Sequence, residues 1–286
     1  MNNLTGRHSL VKESYRDSNV VMSDLQYLVK KARSFGVHQL SIYLSNLDLF
    51  QSPAQLDEFA DIVGTIKSDN GNFPIYMRGL STVSSFIFTH RHYPKIIDKL
   101  KSVGLLRIGF GIDGSAPKVW KATRKPNTKN DCLQAIVLTR KEYGLTPETL
   151  MVFGHNQYDN KESLRQAYEF SKDMQEIYGA IPRPHVAKDV IPGNDGWSNP
   201  VNKNIINLLL AEPQLFQSLD FTAAPSKLTH PDDEFRAYAT DYFIKVCGLR
   251  SGSFPALTQY VLPIEPGMSE SEVEKVKIFN EGKYDI

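Results

Sequence analysis

A repeated unit, one short apolar run followed by one amphipathic helix, constrains this chain most. Apolar runs rich in β-branched and aromatic residues begin near positions 38, 73, 105, 149 and 184, about 30–45 residues apart, with helical patterns between them. Connections of that length join parallel strands, since a hairpin needs only a few residues. The sequence therefore predicts an α/β fold with parallel strands, arranged as a partial (β/α) TIM-type barrel.

Capping residues and glycines indicate where the helices begin and end. Ser23 and Gln26 have capping-box spacing and Gly36 suits a helix stop, so we expect a first helix over 23–35. Ser52 and Pro53 indicate the start of the next helix. The strands are nearly continuous apolar runs, which predicts that both faces of the sheet are covered.

The pattern changes after residue 196. Up to that position strands and helices alternate, whereas the remainder is mostly helical in pattern. We therefore expect a partial barrel over 1–196 and a helical C-terminal extension over 197–286 that covers the barrel mouth.

Bulk properties exclude several classes of protein. The chain has 286 residues, is 41% hydrophobic and has a net charge of +1, so no overall field favours nucleic acid or an anionic membrane. No apolar run approaches the roughly 20 residues of a membrane span. Two cysteines exclude a disulfide framework. We expect a cytoplasmic protein that acts on a small molecule, without nucleic-acid or membrane partners.

Polar residues stand at the end of each predicted strand. In parallel α/β folds these carboxyl ends meet at one edge of the sheet, where ligand sites form. The residues are Ser45, Asn46, Asp48, Arg78, Asp113, His155, Asn156, Lys188 and Asp189. They predict one shared pocket suited to a zwitterionic or phosphorylated small molecule.

Structural roles remain open for several of these side chains. Asp48 could cap a turn, and Arg78 with Asp113 could form an ion pair that only stabilises the fold. His90-Arg91-His92 suggests either a metal pair or a solvated loop, and we favour the loop. Cys132 lies on the apolar side of its predicted helix, which indicates a buried thiol without chemistry.

Three strand-end motifs, in this order, resemble the radical S-adenosylmethionine (SAM) enzymes. Ile42-Tyr43-Leu44-Ser45-Asn46-Leu47-Asp48 occupies the place of that family's Gly-Gly-Glu motif. Residues 107–114 resemble the strand that contacts the ribose or carboxylate of SAM, and residues 150–155 resemble the following strand and its glycine turn. The likeness covers about residues 22–192, and it implies SAM as cofactor.

The resemblance also implies roles for the strand-end residues. The amine of SAM would be held by Ser45, Asn46 and Asp48, its carboxylate by Arg78 and its ribose by Asp113, with His155 and Asn156 along the adenosine or substrate face and Lys188 and Asp189 facing the substrate. Lys188 and Asp189 are thus the candidate catalytic residues, and the others are candidate cofactor-binding residues.

The chain departs from the family at the iron–sulfur cluster. The family holds a [4Fe–4S] cluster on Cys-x-x-x-Cys-x-x-Cys, whereas this chain has only Cys132 and Cys247, and neither lies in the corresponding loop. The first strand of the barrel is missing as well. We expect a chain that is truncated or has naturally lost its cluster, that is inactive in radical chemistry as given, and that needs a partner protein or an N-terminal segment to complete the barrel.

Two other functions are compatible with the sequence. A Schiff-base aldolase would use Lys188 as its amine and Asp113 as acid–base partner. A non-catalytic binding or scaffold protein would retain a degenerate SAM-like site without chemistry.

Overall fold

The computed structural model describes thirteen separate stretches of the chain. They are 16–45, 48–112, 116–122, 127–153, 159–186, 195–198, 200, 203–211, 234, 237–239, 241–242, 245 and 268–280. The chain divides into two compact units. The first unit comprises 9–111 and 130–148, and the second comprises 1–8, 112–129 and 149–286.

Strands and helices alternate through most of the described chain. The strands are β1 (Leu40–Leu44), β2 (Ile75–Ser81), β3 (Leu105–Gly111), β4 (Thr146–Phe153) and β5 (Ile181–Val186). The helices are α1 (Ser18–Ser34), α2 (Pro53–Asp69), α3 (Val83–His92), α4 (Pro94–Val103), α5 (Pro117–Ala122), α6 (Lys129–Val137), α7 (Lys161–Tyr178), α8 (Asp195–Ser198), α9 (Lys203–Ala211) and α10 (Glu270–Asn280).

The five strands form one parallel sheet in the order β1-β2-β3-β4-β5. Tyr43 in β1 is paired with Arg78 in β2, and Arg78 is paired with Arg107 in β3. The register between β2 and β3 shifts once, between Met77 and Arg78. Sequential parallel strands with intervening helices confirm the predicted partial α/β barrel of TIM type.

Aromatic rings form the centre of the first unit. Phe86 of α3 packs edge-on against Phe50 and Phe110, with ring centres 5.4 and 5.2 Å apart, and against Tyr143 at 6.1 Å. All four side chains are buried. Edge-to-face packing suits aromatic rings because the positive edge of one meets the negative face of another. This cluster fixes α3 against the sheet.

The sheet faces of the first unit differ from the prediction. In β2, Ile75, Met77 and Ser81 are buried, whereas Tyr76 between them is 37% exposed. Alternate side chains of a strand point to opposite faces. One face of β2 therefore packs against helices and the other is partly accessible, so the expectation that both faces are covered was wrong here.

The observed helix starts coincide with capping residues, and two of them differ from the prediction. α1 begins at Ser18 because Asp17 is its N-cap and accepts a hydrogen bond from Asn19 N at 2.9 Å, five residues before the expected start at Ser23. α2 begins at Pro53, as predicted. The helix α3, over 83–92, was not predicted; Thr82 caps it by accepting from Ser85 N.

The second unit contains a helix whose two ends agree with the sequence. Asn160 and Ser163 form a capping box at the start of α7, and Gly179 ends it with a φ of 62°. Leu164, Ala167 and Phe170 lie on its buried side. In the described part of the chain, no helix combines the length and apolar character that a membrane crossing requires.

The predicted domain boundary at 196/197 stays a prediction. Of the proposed extension, the structure describes α9, α10 and a few intervening helical residues. The short run at 219–224, which the sequence allows as a further strand, lies outside the described residues.

Candidate functional site

Three side chains lie next to one another across the accessible face of the sheet. The parallel register pairs Tyr43 with Arg78 and Arg78 with Arg107. Paired residues of neighbouring strands point to the same face, which is the face that carries the half-exposed Tyr43. Together with Glu148 of β4 these residues form the Arg78 cluster.

The carboxylate of Glu148 lies between the two arginines of this cluster. Its side chain is completely buried, and its Oε2 accepts a hydrogen bond from Nε of Arg78 at 2.5 Å. Nη1 of Arg107 lies 3.9 Å from Oε1 of the same carboxylate. A buried carboxylate is stable only when paired and hydrogen-bonded, so these cations of β2 and β3 hold it in place.

Arg78 is fixed on two sides. Its guanidinium carbon lies 4.9 Å from the ring centre of Tyr43, a cation–π distance, while its Nε is bound to Glu148. No residue in the described stretches accepts a hydrogen bond from its two terminal nitrogens. The side chain is 28% exposed, so a pre-oriented fork of donors is within reach of a ligand.

The structure corrects the position of Arg78 in its strand. The sequence predicted a strand over 73–77 with Arg78 at its end, whereas β2 runs to Ser81 and places Arg78 at its centre. Gly79, Leu80 and Ser81 continue the extended backbone. Among the described residues, Arg78 forms an ion pair with Glu148. The pair with Asp113 that the sequence allowed stays a prediction, because Asp113 lies outside the described residues.

Asp48 joins the end of β1 to the start of α3. Its carboxylate accepts hydrogen bonds from Ser81 Oγ (3.1 Å), Thr82 N (3.2 Å), Thr82 Oγ1 (2.9 Å) and Ser85 Oγ (2.5 Å). With these four hydrogen bonds, Asp48 stabilises the turn between β2 and α3, a structural role that the sequence analysis allowed. Its role toward the amine of SAM stays a prediction.

Ser45 borders a cavity of about 550 Å³ at the carboxyl end of β1. The cavity lies within the first unit, between α1, α2 and the end of β1, and Tyr43 also lines it. Tyr43 therefore lies near two of the predicted residues. It lines the cavity together with Ser45, and its ring packs against the guanidinium of Arg78. Asp48, by contrast, is bound to Ser81, Thr82 and Ser85.

The remaining predicted site residues lie outside the described residues. They are Asn46, Asp113, His155, Asn156, Lys188 and Asp189. Their convergence on one pocket, and the roles given to Lys188 and Asp189 as catalytic residues, stay predictions.

The histidines of 90–92 belong to a helix. They form the last turn of α3, so the prediction of a loop was wrong. Nδ1 of His90 is 2.7 Å from the hydroxyl of Tyr143. Burial raises the pKa of Tyr143 to about 12. The phenol therefore keeps its proton at neutral pH, and it shares one hydrogen bond with Nδ1 of His90.

Metal ligands and reactive thiols are not grouped in the described part of the chain. No group of three histidine, cysteine or carboxylate side chains there is arranged to hold a metal ion. Cys132 of α6 is 1% exposed, which confirms the predicted buried thiol. Cys247 lies outside the described residues.

Glu148 and Arg107 are the contacts that the sequence analysis missed. The predicted strand began at Thr149, so Glu148 fell outside it, whereas β4 begins at Thr146. The available signal was one carboxylate and two arginines, Arg78 and Arg107, within runs that are otherwise apolar. Buried strands carry such charges when they pair with one another.

Comparisons with known proteins give distant likenesses. No protein-family model matches the chain, and no curated protein matches it. Among solved structures it is similar to the cobalamin-dependent S-adenosylmethionine radical enzyme OxsB in its apo form, with 13% identity and a TM-score of 0.45, covering 57% of this chain and 23% of that one. The chain thus spans less than a quarter of that protein.

Two further solved structures are similar at comparable or lower scores. Methylornithine synthase (PylB) is 14% identical, with a TM-score of 0.42 and coverage of 90% of this chain and 72% of that one. The methanol:cobalamin methyltransferase complex MtaBC from Methanosarcina barkeri is 8% identical, with a TM-score of 0.33 and coverage of 94% and 83%. Identities this low do not assign the chain to a family.

Proposed function

We propose that this chain is a radical SAM-type protein, or a fragment of one, that binds a SAM-like zwitterion on its sheet face and does not perform radical cleavage by itself. The Arg78 cluster carries the proposal. Arg78 is oriented by Glu148 and Tyr43, and in the described part of the chain its terminal nitrogens have no acceptor. The substrate of the complete system remains a small molecule or a peptide.

A guanidinium held in this way suits a carboxylate ligand. Two parallel N–H groups match the two carboxylate oxygens, and such bidentate pairs are stronger than neutral hydrogen bonds. The adjoining Tyr43 ring, 50% exposed, offers an apolar face to the rest of the ligand. An α-amino acid with a bulky side group, such as the methionyl part of SAM, has this combination of groups.

The other proposed contacts come from the strand ends. Ser45, Asn46 and Asp48 would receive the amine, Asp113 the ribose, and His155 with Asn156 the adenosine or substrate face. Lys188 and Asp189 would face the substrate. These assignments rest on the sequence.

The chain's own residues do not fit a [4Fe–4S] cluster. Such a cluster needs three thiolates beside one another, whereas the chain has two cysteines and one of them, Cys132, is buried within α6. We propose that the ligands come from a partner protein or from a further N-terminal segment. Strand β1 lies at the end of the sheet order, where such a segment could add a further strand.

Titration calorimetry with three ligands tests the proposal. SAM carries the amino-acid group, methionine is that group with a plain thioether, and 5′-methylthioadenosine lacks the carboxylate and amine. We expect SAM to bind the chain, and Arg78→Gln to weaken SAM binding roughly tenfold to a hundredfold while 5′-methylthioadenosine is unaffected. The exposed Arg91 of α3 provides the matched control, Arg91→Gln, which should bind SAM as the wild type does.

Two outcomes would contradict this function. Absence of heat with SAM would indicate a scaffold without a ligand site. Equal SAM affinity for Arg78→Gln and the wild type would show that the Arg78 cluster does not bind SAM. Reconstitution with iron and sulfide addresses the inactivity separately: we expect no visible charge-transfer absorption and no reductive cleavage of SAM by this chain alone.

A further inference from the structure

We infer that the exposed side of α1 is a dimer interface, which packs antiparallel against α1 of a second copy of this chain. This surface goes beyond the proposed function, because none of its side chains belongs to the Arg78 cluster. Two features of α1 support the interface. Large apolar side chains are grouped on its exposed side, and these side chains, with the charges between them, stand in a symmetric order.

Helix α1 is apolar on two sides. Its core side is formed by Leu25, Val29 and Ala32, which are buried. Four more large apolar side chains are exposed, on the helix or at its C-cap: Val20, Tyr27, Leu28 and Phe35. At about 100° per residue, all four fall within one sector about 100° wide that is turned away from the core side. Phe35 is 71% exposed and Tyr27 is 62% exposed. Grouped apolar side chains on a surface indicate an interaction site, because their burial is favourable.

The exposed surface beside this sector is polar. Ser23, Gln26 and Lys30 are exposed and lie on the flank of α1 outside the apolar sector. An even scatter of single apolar side chains over the exposed surface would be ordinary. Their restriction to one sector favours a second packing surface on α1.

The order of side chains in the exposed sector is symmetric about the middle of α1. The spacings are 4, 3, 1, 3 and 4 residues, in the order Val20, Asp24, Tyr27, Leu28, Lys31 and Phe35. An interface with two-fold symmetry uses the same patch on both subunits, so residue i contacts residue j while j contacts i. A two-fold axis between positions 27 and 28 gives the pairs Val20 with Phe35, Asp24 with Lys31 and Tyr27 with Leu28. Apolar side chains thus meet apolar ones, and each carboxylate meets an ammonium group.

The two charges of the sector select the antiparallel direction. A parallel pair of α1 helices would place Asp24 beside Asp24 and Lys31 beside Lys31, whereas the antiparallel pair places opposite charges together twice. Both groups are accessible. Asp24 accepts from Nη1 of Arg16 at 2.6 Å and its side chain is still 48% exposed. Nζ of Lys31, an exposed residue, lies 5.1 Å from the ring centre of Phe35. The charge pattern therefore fits a second copy of this chain.

The size of the interface predicts a weak dimer. Positions 20 to 35 cover about 22 Å of helix axis, at about 1.5 Å per residue. One pair of helices of this length buries less than the roughly 1,200 Å² of a stable interface. We therefore expect a dissociation constant in the micromolar range, with the dimer filled at high protein concentration.

Sedimentation equilibrium of the purified chain tests this interface. We expect the wild type to show a monomer–dimer equilibrium between about 1 μM and 1 mM. Lys31→Glu places carboxylates opposite one another and should weaken the dimer roughly tenfold or more. Lys30→Glu makes the same charge change on the polar flank of α1, so this control should dimerise as the wild type does.

Mixing two variants separates the interface from a folding defect. Asp24→Lys and Lys31→Glu should each be largely monomeric at concentrations where the wild type is dimeric, because each has like charges across the axis. An equimolar mixture should form a heterodimer, since every carboxylate then faces an ammonium group again. A misfolded variant would not regain association when it is mixed with another.

Three results would overturn the inference. A wild type that stays monomeric up to about 1 mM would show that α1 does not bind a second copy. A dimer that Lys31→Glu leaves unchanged would place the contact on another surface. A mixture of Asp24→Lys and Lys31→Glu that is as monomeric as its separate components would refute the antiparallel pairing.

Discussion

The guanidinium of Arg78 lies 4.9 Å from the ring centre of Tyr43, its register partner on the neighbouring strand. Its Nε is at the same time bound to Glu148, which has no solvent exposure. A parallel register thus places an aromatic ring, a cation and a buried carboxylate side by side. This arrangement stabilises the sheet and leaves the two terminal nitrogens of Arg78 without an acceptor among the described residues.

Replacing Arg78 should lower the stability of the first unit more than neutralising Glu148 does. Arg78→Met leaves a fully buried carboxylate with less compensation, and we expect the free energy of unfolding to fall by about 2–4 kcal/mol. Glu148→Gln should cost less, because the partly exposed arginines can be hydrated instead. Urea denaturation measures both. The control Arg165→Met, which breaks exposed pairs on α7, should cost less than about 1 kcal/mol. A larger loss for Glu148→Gln than for Arg78→Met would contradict this account.

The four hydrogen bonds that Asp48 accepts should contribute to the free energy of unfolding. Asp48→Ala leaves Ser85 Oγ and the backbone N–H of Thr82 without this acceptor, whereas Ser81 Oγ keeps the carbonyl oxygen of Thr82, and we expect a loss of about 1–3 kcal/mol. The exposed Asp69, at the end of α2, serves as the control, and Asp69→Ala should change stability by less than about 0.5 kcal/mol. Thermal and urea unfolding of both variants give the comparison; similar losses would show that the Asp48 contacts contribute little.

Two glycines with positive φ should differ sharply when they are replaced by alanine. Gly104 has a φ of 126°, and a Cβ there would lie 1.9 Å from the carbonyl oxygen of Ile75, whereas Gly36 has a φ of 70° and open space around it. Gly36→Ala should cost about 1 kcal/mol from backbone strain alone. Gly104→Ala should cost at least about 3 kcal/mol, because β2 must also move. Equal melting temperatures for the two variants would contradict the close approach.

Tyr143 should make stability fall in alkaline solution. Burial raises its pKa from 10.0 to about 12, so the folded state retains a proton that the unfolded state loses first. Its stabilising contribution is therefore complete below pH 10 and is lost between pH 10 and pH 12. Urea denaturation across this range should show a smaller decrease for Tyr143→Phe than for the wild type. Because the pKa of Tyr242 is also raised to about 12, the difference between the two proteins is the quantity to measure. Parallel pH profiles would refute the prediction.

Several parts of the fold could be predicted because they depend on local chemistry. The alternation of strands and helices follows from apolar periodicity, and the ends of α7 follow from Asn160 and Gly179. Boundaries were less accurate where a competing signal existed. Ser23 resembles an N-cap, yet Asp17 caps α1. The stretch 83–92 has few strong helix formers, and α3 is held there by the packing of Phe86 in the aromatic cluster.

The site was less predictable than the fold. Strand-end reasoning selected Arg78 as a ligand-binding residue but placed it at the end of a strand, and it did not predict the ion pair with Glu148. Pairing across strands depends on register, and the shift between Met77 and Arg78 is an irregularity of two strands together. A single sequence does not encode such a shift in any one residue.

By itself, the sequence determined the order of strands and helices, the parallel sheet and the presence of only two cysteines, because these depend on local periodicity, connection length and residue counts. The tertiary structure decided that Tyr43, Arg78, Arg107 and Glu148 are neighbours, and that Asp48 accepts hydrogen bonds from residues at the start of α3. These contacts join residues far apart in the chain, and only strand register and helix packing bring them within bonding distance.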